Sequence, residues 1–328
     1  MPNIAANTID DKLLGLLQTG FPLTAEPYSD LGSKLGVTGE EVIRRITALK
    51  ANGIVRQISP VLDARKLGYQ STLIAMKVGK WETGLAEKTL SGHPGVSHAY
   101  ERDHEFNIWF TLSMPLSANI ETELQKLSSS ICAEAVFTLP AVRVFKLRTN
   151  FGPDEDNHIE DGMSQVNALS ERVELSEIER KVINVIQEDL PLSSNPFRNT
   201  SKKLDISVDD FLGYCRSLLR RGVIRRYGAS INHYKAGYRA NAMTCWKVPH
   251  DIVETVAAGI TSLRQVSHCY ERETNSSWSY NLYVMIHGCS KTGCIDTVNK
   301  IRAGSGISDY AVLFSTREFK KTRIRYLV

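Results

Sequence analysis

No Cys-x-x-Cys pair occurs in this sequence. None of the six cysteines, Cys132, Cys215, Cys245, Cys269, Cys289 and Cys294, has companions at zinc-finger spacing. A structural zinc module needs four closely spaced donors, so none is expected, and buried or free reduced thiols in a reducing compartment are expected instead. No apolar run reaches the ~18 residues that cross a bilayer. The start, MPNIAANTIDDKLL, lacks the basic-then-apolar pattern of a signal peptide, so a soluble cytoplasmic protein is expected. A strong excess of charge is also missing: 40 Lys plus Arg against 36 Asp plus Glu leave +4, which does not demand nucleic acid although a local basic patch could hold an anion. RAGSGISD lacks the full G-x-G-x-x-G of a dinucleotide loop, and there is neither a P-loop nor a Gly-x-Ser-x-Gly elbow.

What the chain has is itself, twice. VSHAYER (Val96–Arg102) recurs as VSHCYER (Val266–Arg272), an offset of 266 − 96 = 170. GIVRQISPVLDARKLGY (Gly53–Tyr69) aligns without gaps to GVIRRYGASINHYKAGY (Gly222–Tyr238) at 222 − 53 = 169, and Asn107 matches Asn281 at 281 − 107 = 174. The second copy therefore carries an insertion, within ETNSSWSY, that contains Trp278. Such a period marks a repeated structural unit, and 328 residues exceed the ~250–300 at which single cores stop growing.

Each copy reads as two parts. Helical periodicity over Asp10–Gln18, Tyr28–Leu35 and Gly39–Ala51, with Gly36 as a stop and Thr38 as a cap, is followed by an alternating segment, IVRQISPVLD, that suits a hairpin wing. Copy two repeats this to Ile231. Strand, helix, strand, strand, helix, strand then follow in both copies, the βαββαβ order of a ferredoxin-like domain. The expected fold class is α+β: a tandem repeat of winged helix-turn-helix plus ferredoxin-like domain, over residues 1–62 and 63–151, a polar acidic linker at 152–170, then 171–231 and 232–328.

Residues i, i+2 and i+4 of a strand share a face. His98, Tyr100 and Arg102 therefore point one way, as do His268, Tyr270 and Arg272. An imidazole, a phenol and a guanidinium on one face are unusual for a core, although a wet outer sheet face would also carry them. His104 sits in the adjoining loop DHEF, where either a catalytic or an ordinary exposed role is open. His287, ending the apolar strand MIHG, reads as a satisfied near-core residue.

HPGVSHAYERDHEFNIWF (His93–Phe110) resembles the first-subunit signature of siroheme decarboxylases. RRYGASINHYKAGYRANAMTCWKVP (Arg225–Pro249), with VSHCYER and WSYNLYVMIHG, resembles the second-subunit signature, and the architecture is that of Lrp/AsnC regulators. The resemblance covers nearly the whole chain. It implies a fused enzyme whose halves form an internal pseudo-dimer, with further homodimerisation open. The implied reaction removes two acetate carboxylates of siroheme to give 12,18-didecarboxysiroheme, for heme d1 or an alternative heme route. No separate cofactor and no metal site are implied, because the iron tetrapyrrole is the substrate. The acids it points to are His98, His104, His268 and His233, the last lying in the matching string INHYKAGY. Carboxylate-holding cations would come from Arg102, Arg272, Arg225, Arg226 and the basic last strand, STREFKKTRIRY, with Arg317, Lys320 and Arg323 as candidates. A basic edge strand also guards against aggregation. Tyr100, Tyr270 and Trp278 could stack on the macrocycle, with one site, largely in copy two.

Two other readings stay open: a transcriptional regulator, and a passive heme or siroheme carrier or sensor that uses a histidine as axial ligand. Against the regulator, the helices that would enter the groove begin with Glu40 and Glu41 in copy one and Asp209 and Asp210 in copy two, which repel phosphates. A gel shift separates the cases: no tight, salt-dependent binding to specific DNA is expected, and such binding would favour the regulator.

Overall fold

The computed structural model describes residues 8–147, 172–232 and 240–328. His233 and the expected linker at 152–170 lie outside them.

In the first half three helices, α1 (Ile9–Thr19), α2 (Pro27–Leu35) and α3 (Gly39–Ala51), precede strand β1 (Val55–Leu62). Their boundaries follow from capping chemistry. Thr8 and Asp11 form a reciprocal capping box on α1, Thr38 accepts the Glu41 N–H on α3, and Gly36 ends α2 in the left-handed region at φ 70. A ferredoxin-like set follows: β2 (Tyr69–Lys77), α4 (Thr83–Gly92), β3 (Val96–Arg102), β4 (Ile108–Pro115), α5 (Ile120–Ile131) and β5 (Ala135–Leu147). The second half repeats the series as α6 (Glu177–Ile186), α7 (Arg198–Lys203), α8 (Val208–Arg220), β6 (Ile224–Ile231), β7 (Ala240–Trp246), α9 (Val253–Thr261), β8 (Val266–Arg272), β9 (Leu282–Gly288), α10 (Lys291–Ser305) and β10 (Tyr310–Lys321).

The wings depart from the expected hairpins. Each is a single strand, and β1 pairs antiparallel with β6 of the other half. After β1 the chain turns instead of returning: Asp63 Oδ1 accepts the N–H groups of Arg65 and Lys66. A lone strand leaves its backbone groups unpaired, and the matching strand of the other copy satisfies them. Asp63 N–H to Val223 O and Asn232 N–H to Ile54 O extend the ladder at both ends. The two helical heads thereby share one apolar core, from Leu13, Leu31 and Ile46 to Ile183, Phe211 and Leu218.

The two ferredoxin-like sheets are also joined. β5 pairs with β2 through Ala135–Pro140 and with β8 of the other half through Ala141–Leu147. β10 pairs with β7 and then, from Ser315 on, with β3 of the first half. These two long strands close an eight-stranded barrel in the order β10-β3-β4-β2-β5-β8-β9-β7. The four helices of this part cover its outside over two apolar layers.

One end of the barrel is plugged. The insertion of the second half makes a turn in which Asn275 and Trp278 exchange backbone hydrogen bonds. It lays the Trp278 ring 5.8 Å from Phe137 and edge-on to Trp109 at 5.3 Å. Phe106, from the corresponding loop of the first half, joins the cluster. Trp278 is only 4% exposed, so replacing it by Ala removes a full core side chain. A loss of about 3–5 kcal/mol is expected, measured by urea unfolding; a loss under about 1 kcal/mol contradicts the plug.

Candidate active site

The unplugged end of the barrel faces the β1–β6 sheet. Between them lies a cavity of about 390 Å³, walled by β1 and its turn, the ends of β2 and β3, β8, and the C-terminal tail Thr322–Tyr326. Its size suits a small-molecule site. Among the described residues the lining comes from both halves, and more of it from the first. The swapped β5 and the crossing tail interleave the halves at this point.

Register explains which side chains reach the cavity. Ala99 packs outward under the helices, so the neighbours of opposite parity, His98, Tyr100 and Arg102, face the barrel interior. β8 does the same with His268, Tyr270 and Arg272. Along each strand the series runs from His at the cavity to Arg toward the plug. His98 and His268 line the cavity together. Each has Nδ1 against the hydroxyl of the preceding serine, Ser97 at 2.9 Å and Ser267 at 2.7 Å.

His98 is exposed to the chamber and His268 is half-buried, and protein packs around both. Desolvation, then Lys321, His268 and Arg56, push His98 down to about 3 from 6.5. Desolvation, then Lys321 and Lys146, push His268 down to about 4. The two rings are therefore neutral near pH 7, held so by burial and by surrounding positive charge.

Guanidiniums stand on the chamber wall and on the barrel's inner face behind it. Arg272 donates to Leu139 O at 2.8 Å and stacks over Tyr270 at 4.9 Å. Arg102 donates to Leu313 O at 3.0 Å and lies over Tyr100 at 5.5 Å. The Nε of each is buried without a hydrogen bond. Burial pushes Arg102 down to about 10 and lowers Arg272 as well. Arg225 is held by Asp63, its Nε and Nη2 both donating to Oδ2, at 3.0 and 2.8 Å. Arg323 laces the tail to both wings through Ser59 O, Pro60 O and Gly228 O. Burial pushes it down to about 10.

Of the residues singled out from sequence, the cavity wall thus collects His98, His268, Tyr270, Arg225, Arg272 and Arg323. Tyr100 and Arg102 share the inner face but not the wall. His233 lies outside the described residues, and the structure does not bring the remaining ones there. His104 accepts the Phe106 N–H and meets Trp278 edge-on at 5.3 Å, in the plug with Trp278 itself. Arg226 turns to Gln18 O, Arg317 pairs with Glu87, and Lys320 donates to His93 O at 2.7 Å on the outer side. Strand parity is the reason. Lys320 stands opposite Ala99, whereas Lys321 stands opposite His98. Lys321, whose pKa burial lowers, is thus the lysine beside the imidazoles; alternation along β10 was the signal for it. Arg56, joined to Glu318 at 3.0 Å and to Lys321 O, also acts on His98 and had no sequence signal beyond its charge.

On α3, Glu41 engages both Arg44 and Arg45, and Asp10 also engages Arg45.

Fold and site together define an AsnC-like protein with guanidiniums and two imidazoles on one chamber. The chain matches the AsnC-like ligand binding domain at residues 66–146 and 235–320, and the siroheme decarboxylase NirDL-like HTH domain at 10–56 and 179–225. It is 37% identical over 317 residues to a siroheme decarboxylase of Hydrogenobacter thermophilus, covering 96% of this chain and 94% of that one. Its second relative of note, the siroheme decarboxylase beta subunit of Methanosarcina barkeri, is 38% identical over 145 residues, 44% of this chain and 95% of that subunit. The crystal structure of the siroheme decarboxylase NirDL with an iron-uroporphyrin III analogue superposes with a TM-score of 0.73 at 34% identity, covering 98% of this chain and 95% of that one. The chain belongs to the siroheme decarboxylase family, in its fused two-half form.

The depressed imidazoles make stability depend on pH. Their folded pKa values lie below 6.5, so the unfolded chain binds more protons between about 4 and 6.5, and stability falls as pH falls through that window. Urea midpoints measured from pH 7 to pH 4 should decline less steeply in a His98→Gln/His268→Gln double variant. An unchanged slope would mean the rings are not held neutral.

Proposed function

We propose that this chain removes two acetate carboxylates from siroheme in the cavity between the barrel and the β1–β6 sheet, acting as a carboxy-lyase without a separate cofactor. The observation that carries this reading is the pair of equivalent imidazoles, one from each half, converging on one chamber with cationic walls. Two equivalent acids suit a substrate that must be protonated twice.

The chemistry follows from the charges. In each step the C–COO⁻ bond breaks, CO₂ leaves, and the electron pair stays with the methylene carbon, delocalised into the macrocycle. A proton then passes from an imidazolium N–H to that carbon, giving a methyl group and a neutral imidazole. The macrocycle carries the electron pair as a cofactor would, and the iron arrives with the substrate. The empty chamber holds both imidazoles neutral. Entry of a molecule with many carboxylates reverses the local field, raises their pKa values and turns them into acids when substrate is present. Arg225 and Arg323 are pinned by their own partners and so present fixed donors and fixed positive potential, which costs no reorganisation when the ligand binds. Release into a heme d1 or heme route lies downstream of this chemistry.

Anaerobic turnover of siroheme, followed by mass detection of carboxylate loss, tests the reading. His98→Ala and His268→Ala should each slow CO₂ release by about 10²–10⁴-fold, the usual worth of a general acid. His104→Ala, altered at the plug, should stay within about tenfold of the parent. Unimpaired turnover in both cavity variants would remove the imidazoles from the reaction, and binding without any CO₂ release by the parent chain would make it a carrier.

A further inference from the structure

The two halves do not hold their imidazoles alike. Behind His268 stands a second ring: Ser267 Oγ lies 2.7 Å from His268 Nδ1 and 2.8 Å from His287 Nε2. His287 is only 9% exposed, and Ser267 only 1%. In the first half the position equivalent to His287, at 287 − 174 = 113, is Ser113. Its hydroxyl donates to Ser71 at 2.9 Å, so no imidazole occupies that place behind Ser97 and His98.

A serine hydroxyl has one proton, so it donates to only one neighbour. When His268 is an imidazolium, its Nδ1–H donates to Ser267 Oγ at 2.7 Å, and the hydroxyl proton has two acceptors within reach: His287 Nε2 at 2.8 Å and Met285 O at 3.4 Å. The shorter contact wins. His287 Nε2 then accepts, and the other proton of the His268 imidazolium sits on Nε2, the nitrogen that Ser267 does not engage. That is the form an acid needs, and its orientation is set by the hydrogen bond on its other nitrogen.

We infer that His287 is a positioning residue that accepts through Ser267 from the Nδ1–H of the His268 imidazolium, holds its Nε2–H free for transfer, and so makes the acid of the second half different from that of the first. The inference rests on the decarboxylation reading above. It assigns the Ser267–His287 pair to one of the two CO₂ losses and not to the other. In the first half the Ser97 hydroxyl sets His98 alone, without a second ring to direct it.

The test is anaerobic single turnover of siroheme with time-resolved mass detection, on the full chain and on three variants. His287→Phe removes the acceptor, Ser267→Ala removes the link, and His287→Gln keeps an acceptor, its amide oxygen, without an imidazole. His287→Phe and Ser267→Ala should slow one CO₂ loss by about 10- to 100-fold, less than the full worth of a general acid, and leave the other unchanged, so that a product shortened by one carboxylate accumulates. His287→Gln should restore the slowed loss to within about threefold of the parent, since its amide oxygen accepts from the same serine. Ser267→Ala keeps the question answerable if the bulkier Phe prevents folding. Equal slowing of both losses, no slowing of either, or failure of Gln to restore what Phe removes overturns the inference while the parent chain still releases two CO₂. A parent chain that releases none overturns the reading beneath it, and the inference with it.

Discussion

The structure depends on two strands that are each longer than one sheet needs. β5 spends its first half on β2 and its second on β8; β10 serves β7 and then β3. Backbone pairing of these extensions closes the barrel and abolishes the open edges of both sheets. Closure also decides the chemistry. A polar face carrying His, Tyr and Arg would be a solvated surface on an open sheet; inside a closed barrel it becomes the wall of a chamber. Desolvation then lowers the imidazoles, and the guanidiniums lie over tyrosine rings and donate to carbonyls across the barrel.

Much of this is legible along the chain, because repetition and strand parity are local signals. The offset between VSHAYER and VSHCYER makes two halves, and the i, i+2, i+4 rule puts His98 with Tyr100 and Arg102 on one face before any contact is known. Pairing between distant strands is not local, and the differences arise there. IVRQISPVLD alternates as a hairpin wing would, yet nothing in it states that its partner is β6. Trp278 looks like a stacking platform because it sits in an insertion; only the barrel's open end explains why that insertion folds inward as a plug. Lys320 and Lys321 are adjacent and chemically identical, and the register against β3 alone separates the one at His93 from the one at the imidazoles.

The heads illustrate how an inherited architecture is put to another use. Their helices retain the caps and apolar stripes of a helix-turn-helix, but the strands that follow zip the halves together and roof the chamber. Arg323 and Arg56, which in another setting would be free cations, bind the tail and β10 to that roof. Fusion in one chain keeps the two unlike halves together, and their unlike sides of the chamber, Lys321 opposite His98 against Val144 opposite Tyr270, can then be retained independently.

The central claim is that one chamber, neutral in its imidazoles when empty, gains protons when a polyanionic tetrapyrrole enters. Anaerobic calorimetric titration with an iron-uroporphyrin at pH 7, repeated in buffers of different ionisation enthalpy, measures this directly. One ligand bound per chain with net proton uptake is the expected result; two ligands per chain, or binding without proton uptake, would contradict it.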